Sequence, residues 1–199
     1  MSGSVINKTV IRREIIHINR IYSETASRKK LILLVSDNSM EAVSLYCYHM
    51  KKRNTVFFVG NTKKAPDIAA LIDRFMPDEI FMDREKIRDA KLESALYTEI
   101  EEDYQTCSTY YQYVKFQRIQ EFQNGLYDDL ALLMVTSGSI GNGKIVALSY
   151  DNLRSNAQAI IESLEIDEND RAGVMLPISY VYGLSVAVSY THLTLPTKL

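Results

Sequence analysis

Residues 130–153 read LALLMVTSGSIGNGKIVALSYDNL, and the fold turns on whether a helix or a strand comes after the glycines. Leu130 to Val135 is a continuous apolar run, too short for a helix and suited to a strand covered on both faces. Gly138, Gly143 and Lys144 then satisfy the P-loop pattern G-x-x-x-x-G-K-[ST] up to its last position, where Ile145 replaces the hydroxyl residue. A P-loop opens directly into a helix, whose N-terminal N–H groups converge on phosphate while the Ser or Thr ligates magnesium. Ile145 cannot ligate magnesium, and Ile145 to Ser149, IVALS, has the branched, short character of a strand. On these residues alone the segment is either a degenerate P-loop or a glycine-rich hairpin between two strands. A helix is expected only from about Asn152 to Leu164, with Leu153, Ala157, Ile160, Ile161 and Leu164 on one face.

Upstream, the same short apolar runs alternate with amphipathic segments. Val10 to Ser23 has near-helical spacing, Leu31 to Val35 (LILLV) reads as a buried strand, and Met40, Val43, Cys47 and Met50 form one stripe of the next helix. Asn38 with Glu41 three residues on resembles a capping box for that helix, and Lys51, Lys52 and Arg53 suit its C-terminal end. Thr55 to Val59 is the next strand. Pro66 and Asp67 open a helix with Ile68, Leu71, Ile72 and Phe75 on its apolar face, Pro77 closes it, and Glu79 to Met82 reads as a strand. This rhythm predicts an α/β fold, mostly parallel sheet with flanking helices and right-handed crossovers. From Asp83 to Asp129 only a helix near Arg84 to Leu96 and extended chain near Tyr111 to Phe116 are expected. Beyond Leu164, Asp167 to Asp170 turns, Ala172 to Leu176 reads as a strand, and Pro177 stops it.

The bulk numbers narrow the function. A chain of 199 residues, 46% apolar, can bury a proper core, and 23 basic against 25 acidic residues, a net charge of −2, provide no polybasic field for nucleic acid or anionic lipid. The tyrosine-rich STYYQYVKF, residues 108–116, lacks the basic groove that a base-stacking platform needs. Cys47 and Cys107 belong to no metal-binding spacing, and no apolar run is long enough to cross a bilayer. These features predict a cytoplasmic protein without membrane insertion or a nucleic-acid partner. His17 and His49 lie in helical patterns and read as surface or satisfied residues.

Taken whole, LLMVTSGSIGNGKIVALSYDNL resembles the phosphate loop of the adenylate-forming enzymes, the superfamily of acyl-CoA synthetases, peptide-synthetase adenylation domains and luciferases. Their pattern is approximately T-S-G-[ST]-T-G-x-P-K-G-V, a short strand, then [ST]-H-x-N-L. Thr136, Ser137, Gly138, Ser139, Gly141, Lys144 and Val146 match it, with Ser149, Asn152 and Leu153 after them. Ile140, Gly143, Ile145 and Tyr150 depart from it, and a hydroxyl missing at Ile140 removes one phosphate hydrogen bond of about 1.5–3 kcal/mol. LPISYVYGL, residues 176–184, is similar to the family's L-P-x-x-H-x-x-G-L, with Tyr180 at the histidine position, and residues 31–61 resemble the family's early strand-helix-strand.

The resemblance implies a partial large N-terminal domain of that fold over residues 1–187. It also implies an ATP-dependent ligase that activates a carboxylic acid as an acyl-adenylate and transfers it to a thiol, either coenzyme A or a carrier protein. Thr136, Ser137 and Ser139 would donate to the β- and γ-phosphates, Gly138 and Gly141 would admit the backbone closely, and Lys144 would bring positive charge. Tyr180, Tyr182 and Gly183 would line an acyl or adenylate pocket. ATP and Mg²⁺ are the implied cofactors, with the magnesium glutamate, the catalytic groups and the C-terminal lid domain expected outside this chain, which alone would be inactive. Residues 188–199, VSYTHLTLPTKL, resemble a translated transposon end and are expected to be a non-native tail. A degenerate P-loop NTPase and a non-catalytic α/β binding module stand as the alternative functions.

Overall fold

Alternation of buried residues along Leu31–Ser36 sets the architecture. Ile32 and Leu34 face one core while Leu31, Leu33 and Val35 face another, so this strand, β2, is apolar on both sides. The computed structural model describes residues 4–6, 18, 28–36, 38–83, 113–118, 125–135, 144–167 and 169–192. Within them, β2 (Leu31–Ser36), α1 (Met40–Lys51), β3 (Thr55–Gly60), α2 (Ala65–Phe75), β4 (Glu79–Asp83), β5 (Tyr113–Gln117), β6 (Leu130–Val135), β7 (Ile145–Ser149), α3 (Tyr150–Ser163) and α4 (Val181–His192) come in that order. A separate pair is formed by β1 (Ser4–Ile6) and β8 (Ala172–Val174), antiparallel to each other.

The main sheet has the order β5-β4-β2-β3-β6-β7. Its four central strands are mutually parallel, as the sequence rhythm predicts, and the two edge strands run antiparallel to them. Helix α1 packs on the face of Ile32, Leu34, Val56 and Phe58, joined there by Ile178, Leu184 and Ala187. Helix α2 covers the opposite face through Ile68 and Ile72, against Leu33, Phe57, Val59 and Ile80. Each fully buried Leu, Ile or Phe contributes about 1.5–3 kcal/mol of transfer free energy, so two covered faces supply most of the driving force. Helix α1 is buried from Ala42 to His49, well beyond the predicted stripe, because the α1 side of the sheet also carries Ile18 and α4.

Several expectations shift. The cap of α1 is Ser39, whose hydroxyl accepts from Ala42 N–H, and not Asn38 with Glu41. Helix α3 begins at Tyr150, two residues before the predicted start, because Ser149 and Asn152 form a reciprocal capping box. Leu164 caps that helix at 68% exposure and does not join its apolar face. Strand β8 stops at Val174 and pairs outside the main sheet, leaving Met175 and Leu176 exposed. Helix α4 continues through His192. Of the predicted Val10–Ser23 helix, Ile18 is helical and buried; the remainder, and the predicted Arg84–Leu96 helix, lie outside the described residues.

Candidate functional site

In an open α/β sheet the ligand crevice forms where neighbouring strands send their connecting helices to opposite faces. Here those strands are β2 and β3, paired so that Ser36 lies opposite Gly60 at their C-terminal ends. Strand β6 runs parallel beside β3, with Met134 opposite Phe58, so the chain leaves β6 at the same sheet edge. It returns along β7 with Ile145 opposite Val135. Both ends of the glycine-rich loop are thereby anchored at the C-terminal edge, one strand from the crossover point.

That return strand decides the loop's class. Residues 145–149 form a strand antiparallel to β6, and the helix starts only at Tyr150. A P-loop needs its helix directly after the lysine, so the degenerate P-loop reading is overturned and the β-hairpin geometry holds. A register shift between Leu130 and Leu132 marks an irregularity at the far end of the hairpin. Thr136, Ser137, Gly138, Ser139 and Gly141 lie outside the described residues; Lys144 is described, and it is exposed at the loop's exit.

The crossover point is covered by the segment before α4. Asn38, just past β2, donates through Nδ2 to the Leu176 carbonyl and accepts at Oδ1 from the Ile178 N–H, both at 2.9 Å. Ser179 rests against Gly60 so closely that a Cβ added there would stand 2.9 Å from the Ser179 hydroxyl. Tyr180 N–H donates to the Pro177 carbonyl at 3.0 Å and Leu184 N–H to the Tyr180 carbonyl at 2.9 Å, which turns the chain into α4. Ser36 Oγ, buried at this edge, has no hydrogen-bond partner among the described residues.

The inner and outer sides of this segment differ sharply. Ile178 and Ser179 are buried, whereas Tyr180 is 50% and Tyr182 69% exposed, so neither tyrosine is a core residue. Gly183 is buried, and a Cβ on it would lie 2.6 Å from the Leu176 carbonyl oxygen and would also strike that of Pro177. The glycine is therefore demanded by packing of α4 on its own approach segment. Asn38 was legible only as a cap, since nothing local ties it to residues 138 and 140 positions away. The usable signal was an amide side chain directly after a buried strand, with a donor and an acceptor both to satisfy.

At the opposite edge of the sheet sits a buried charged network. Asp78 accepts from Leu31 N–H, Arg28 and Arg118, and Glu79 is paired with Lys30 and Lys115. His49, within α1, is buried beside Asn54 and Phe81, a packed rather than a surface residue. Tyr150, at the family's histidine position, donates to the Asn54 carbonyl at 2.7 Å with Arg53 stacked 4.0 Å from its ring centroid. These groups lie at the strand N-terminal ends, away from the glycine-rich loop. Among the described residues no group of three or more His, Cys, Asp or Glu side chains could hold a metal ion. No helix among them is long and apolar enough to cross a membrane.

The fold is that of known adenylate-forming proteins. The chain is similar to ATP-bound MatB from Rhodopseudomonas palustris, with TM-score 0.65 and 20% identity over 93% of this chain and 37% of that one. It is similar to o-succinylbenzoate CoA synthetase from Bacillus subtilis in complex with the acyl-adenylate intermediate OSB-AMP, with TM-score 0.62 and 17% identity over 92% and 46% of the two chains. The Vibrio cholerae adenylation domain AlmE in complex with glycyl-adenosine-5'-phosphate matches with TM-score 0.64 and 16% identity over 94% and 38%. The chain thus spans less than half the length of each of these proteins. The AMP-binding enzyme family matches residues 25–194, a stretch that holds the whole main sheet, the glycine-rich hairpin and the segment over the crossover point, and the chain belongs to that family.

Proposed function

We propose that the chain is the nucleotide-phosphate-engaging part of an ATP-dependent ligase. That ligase activates a carboxylic acid as an acyl-adenylate and passes the acyl group to a thiol, coenzyme A or a carrier protein. The observation that carries the reading is the antiparallel pairing of β6 with β7, whose ends at Val135 and Ile145 bracket the family-like TSGSIGNGK in the sequence, inside a family match spanning residues 25–194. Attack of a carboxylate on the α-phosphate brings two anions together, so the protein must neutralise charge and hold the departing pyrophosphate in line. Thr136, Ser137 and Ser139 are assigned as donors to the β- and γ-phosphates, with Gly138 and Gly141 allowing close backbone approach. Exposed Lys144, at the loop's exit, supplies a mobile positive charge. The exposed Tyr180 and Tyr182 are assigned to the wall of an acyl or adenylate pocket, and Gly183 to the packing that lets them stand there. Mg²⁺ would neutralise phosphate charge when bound.

Acid-dependent exchange of labelled pyrophosphate into ATP, assayed on the product of the full reading frame across a broad acid panel, tests the reaction; no exchange with any acid would sink it. Calorimetry of the chain with ATP tests the loop: Lys144→Ala should weaken binding with the fold intact. Unchanged binding would instead favour a non-catalytic module whose loop is only a hairpin. The boundary at Ala187 and a cytoplasmic location belong to the same proposal. Helix α4 runs through His192 and the family match to residue 194. A foreign tail must therefore continue that helix, and DNA past codon 187 that lacks transposon sequence would remove the tail from the reading.

A further inference from the structure

We propose that Asn38 is a positioning residue for the adenylate-forming site, acting through Tyr180. The inference rests on the ligase function proposed for the chain. Its carrier is a two-point contact: one amide side chain gives its N–H to the Leu176 carbonyl and its carbonyl to the Ile178 N–H, each at 2.9 Å. The two backbone groups flank Pro177, whose own carbonyl receives the Tyr180 N–H at 3.0 Å. The Asn38 amide therefore fixes the peptide planes on either side of the residue that starts the turn into α4. Tyr180 follows in that turn with half of its surface exposed, so the turn that carries it sets where the ring stands.

The remaining restraints on the turn do not discriminate in the same way. Ile178 is held by burial and Ser179 by contact with Gly60, and neither contact carries the directionality of a hydrogen bond. An amide that donates on one side of Pro177 and accepts on the other carries it at both ends, because both backbone groups must lie near the plane of the Asn38 carboxamide. The contact also ties the turn after β2 to the segment over the crossover point, the place where a ligand is bound in open α/β sheets.

The test uses the chain itself with ATP as the probe, read by calorimetry and by hydrogen exchange at the Ile178 amide. Asn38→Ala should weaken ATP binding by about tenfold and speed exchange at Ile178, and Asn38→Asp should do the same because it keeps the acceptor but loses the donor to Leu176. Tyr180→Ala should also weaken binding, and the double variant Asn38→Ala with Tyr180→Ala should bind no more weakly than Tyr180→Ala alone. A purely structural role would give additive losses, and additivity overturns the proposal. ATP affinity within about twofold of wild type in Asn38→Ala, or unchanged exchange at Ile178, also overturns it while leaving the ligase reading intact. Absence of ATP binding by the wild-type chain would instead strike the ligase reading, and this proposal with it.

Discussion

Lys115, on the antiparallel edge strand β5, sets its Nζ 3.2 Å from the Glu79 carboxylate on β4, and both side chains are buried, at 5% and 4% exposure. Lys30 reaches the same carboxylate oxygen at 2.7 Å. Burial pushes the Glu79 pKa up, but the charges of Lys115, His49 and Lys30 outweigh it and hold the carboxyl below its ordinary range. A carboxyl depressed in the folded state contributes stability that is complete above the unfolded glutamate value of about 4.3 and is lost as pH falls through the lower folded value. Thermal unfolding monitored from neutral pH into acid should therefore show a steep loss below about pH 4.3 in the wild type. Glu79→Gln should start lower at neutral pH, by on the order of 3 kcal/mol, and show a flatter acid limb. Parallel limbs in the two proteins would contradict this account of Glu79.

Asp78 carries a different burden, because it joins charge pairing to a backbone contact. It accepts from Leu31 N–H at 2.8 Å, from Arg28 at 2.8 Å and from Arg118 at 2.9 Å. Asp78→Asn keeps an acceptor for Leu31 but loses the charge and the second oxygen that Arg28 and Arg118 share, whereas Asp78→Ala loses every acceptor. Denaturant unfolding should rank them accordingly, at about 2 kcal/mol for the amide and about 3–5 kcal/mol for alanine. Equal losses would mean that the Leu31 contact contributes nothing measurable.

Two glycines provide an internal comparison. A Cβ at Gly183 would press on the Leu176 and Pro177 carbonyls, which are backbone and cannot swing aside, while a Cβ at Gly173 in β8 would meet nothing within 4 Å. Gly183→Ala should cost about 1–3 kcal/mol and raise hydrogen exchange along the first turn of α4. Gly173→Ala should stay within about 0.5 kcal/mol of wild type. A harmless Gly183→Ala would show that α4 does not rest on its approach segment in solution.

Tyr150 should be visible in an alkaline titration. Burial raises its phenol, with Arg53 pulling the other way, to about 12. A phenol raised in the folded state contributes stability that is full below the unfolded value of about 10 and is lost as pH rises through the folded one. The difference in phenolate absorbance between wild type and Tyr150→Phe should thus rise near pH 12 and be silent where exposed tyrosines titrate, near about 10. At neutral pH the variant should lose about 1 kcal/mol through the missing bond to the Asn54 carbonyl. A difference signal centred near 10 would contradict the burial of this ring.

Much of this protein can be read from local pattern. Runs such as LILLV, TVFFV and LALLMV specify doubly covered strands because only a sheet with helices on both faces buries every side chain of a continuous apolar run. The strand after Lys144 was equally legible, since the short, branched IVALS puts the helix start after it and not directly after the lysine, although the Ser149–Asn152 capping box moves that start from Asn152 to Tyr150. Those two local facts separate a hairpin from a P-loop. The residues of the loop itself were named by the family resemblance of TSGSIGNGK, and of them Lys144 has a described position.

Contacts between distant segments were decided only by the tertiary structure. Asp78, Glu79, Lys115 and Arg118 read as ordinary charged residues, yet all are at most 5% exposed, because β5 comes back antiparallel beside β4 and brings cations opposite carboxylates. Asn38 reads as a helix cap, yet Ser39 takes that role and frees the amide to hold the segment before α4. Tyr180 and Tyr182 sit in an apolar run that alone permits either burial or exposure, and the turn fixed by Asn38 and Gly183 puts both rings outward. Hydrophobic periodicity is a property of neighbours along the chain, so the sequence by itself determined the strands and helices from Leu31 to Met82 and the strands on either side of the loop between β6 and β7, but not helix α4 or strand β1. Pairing of polar groups depends on which strands become neighbours in space, and that was settled only when the sheet closed in the order β5-β4-β2-β3-β6-β7.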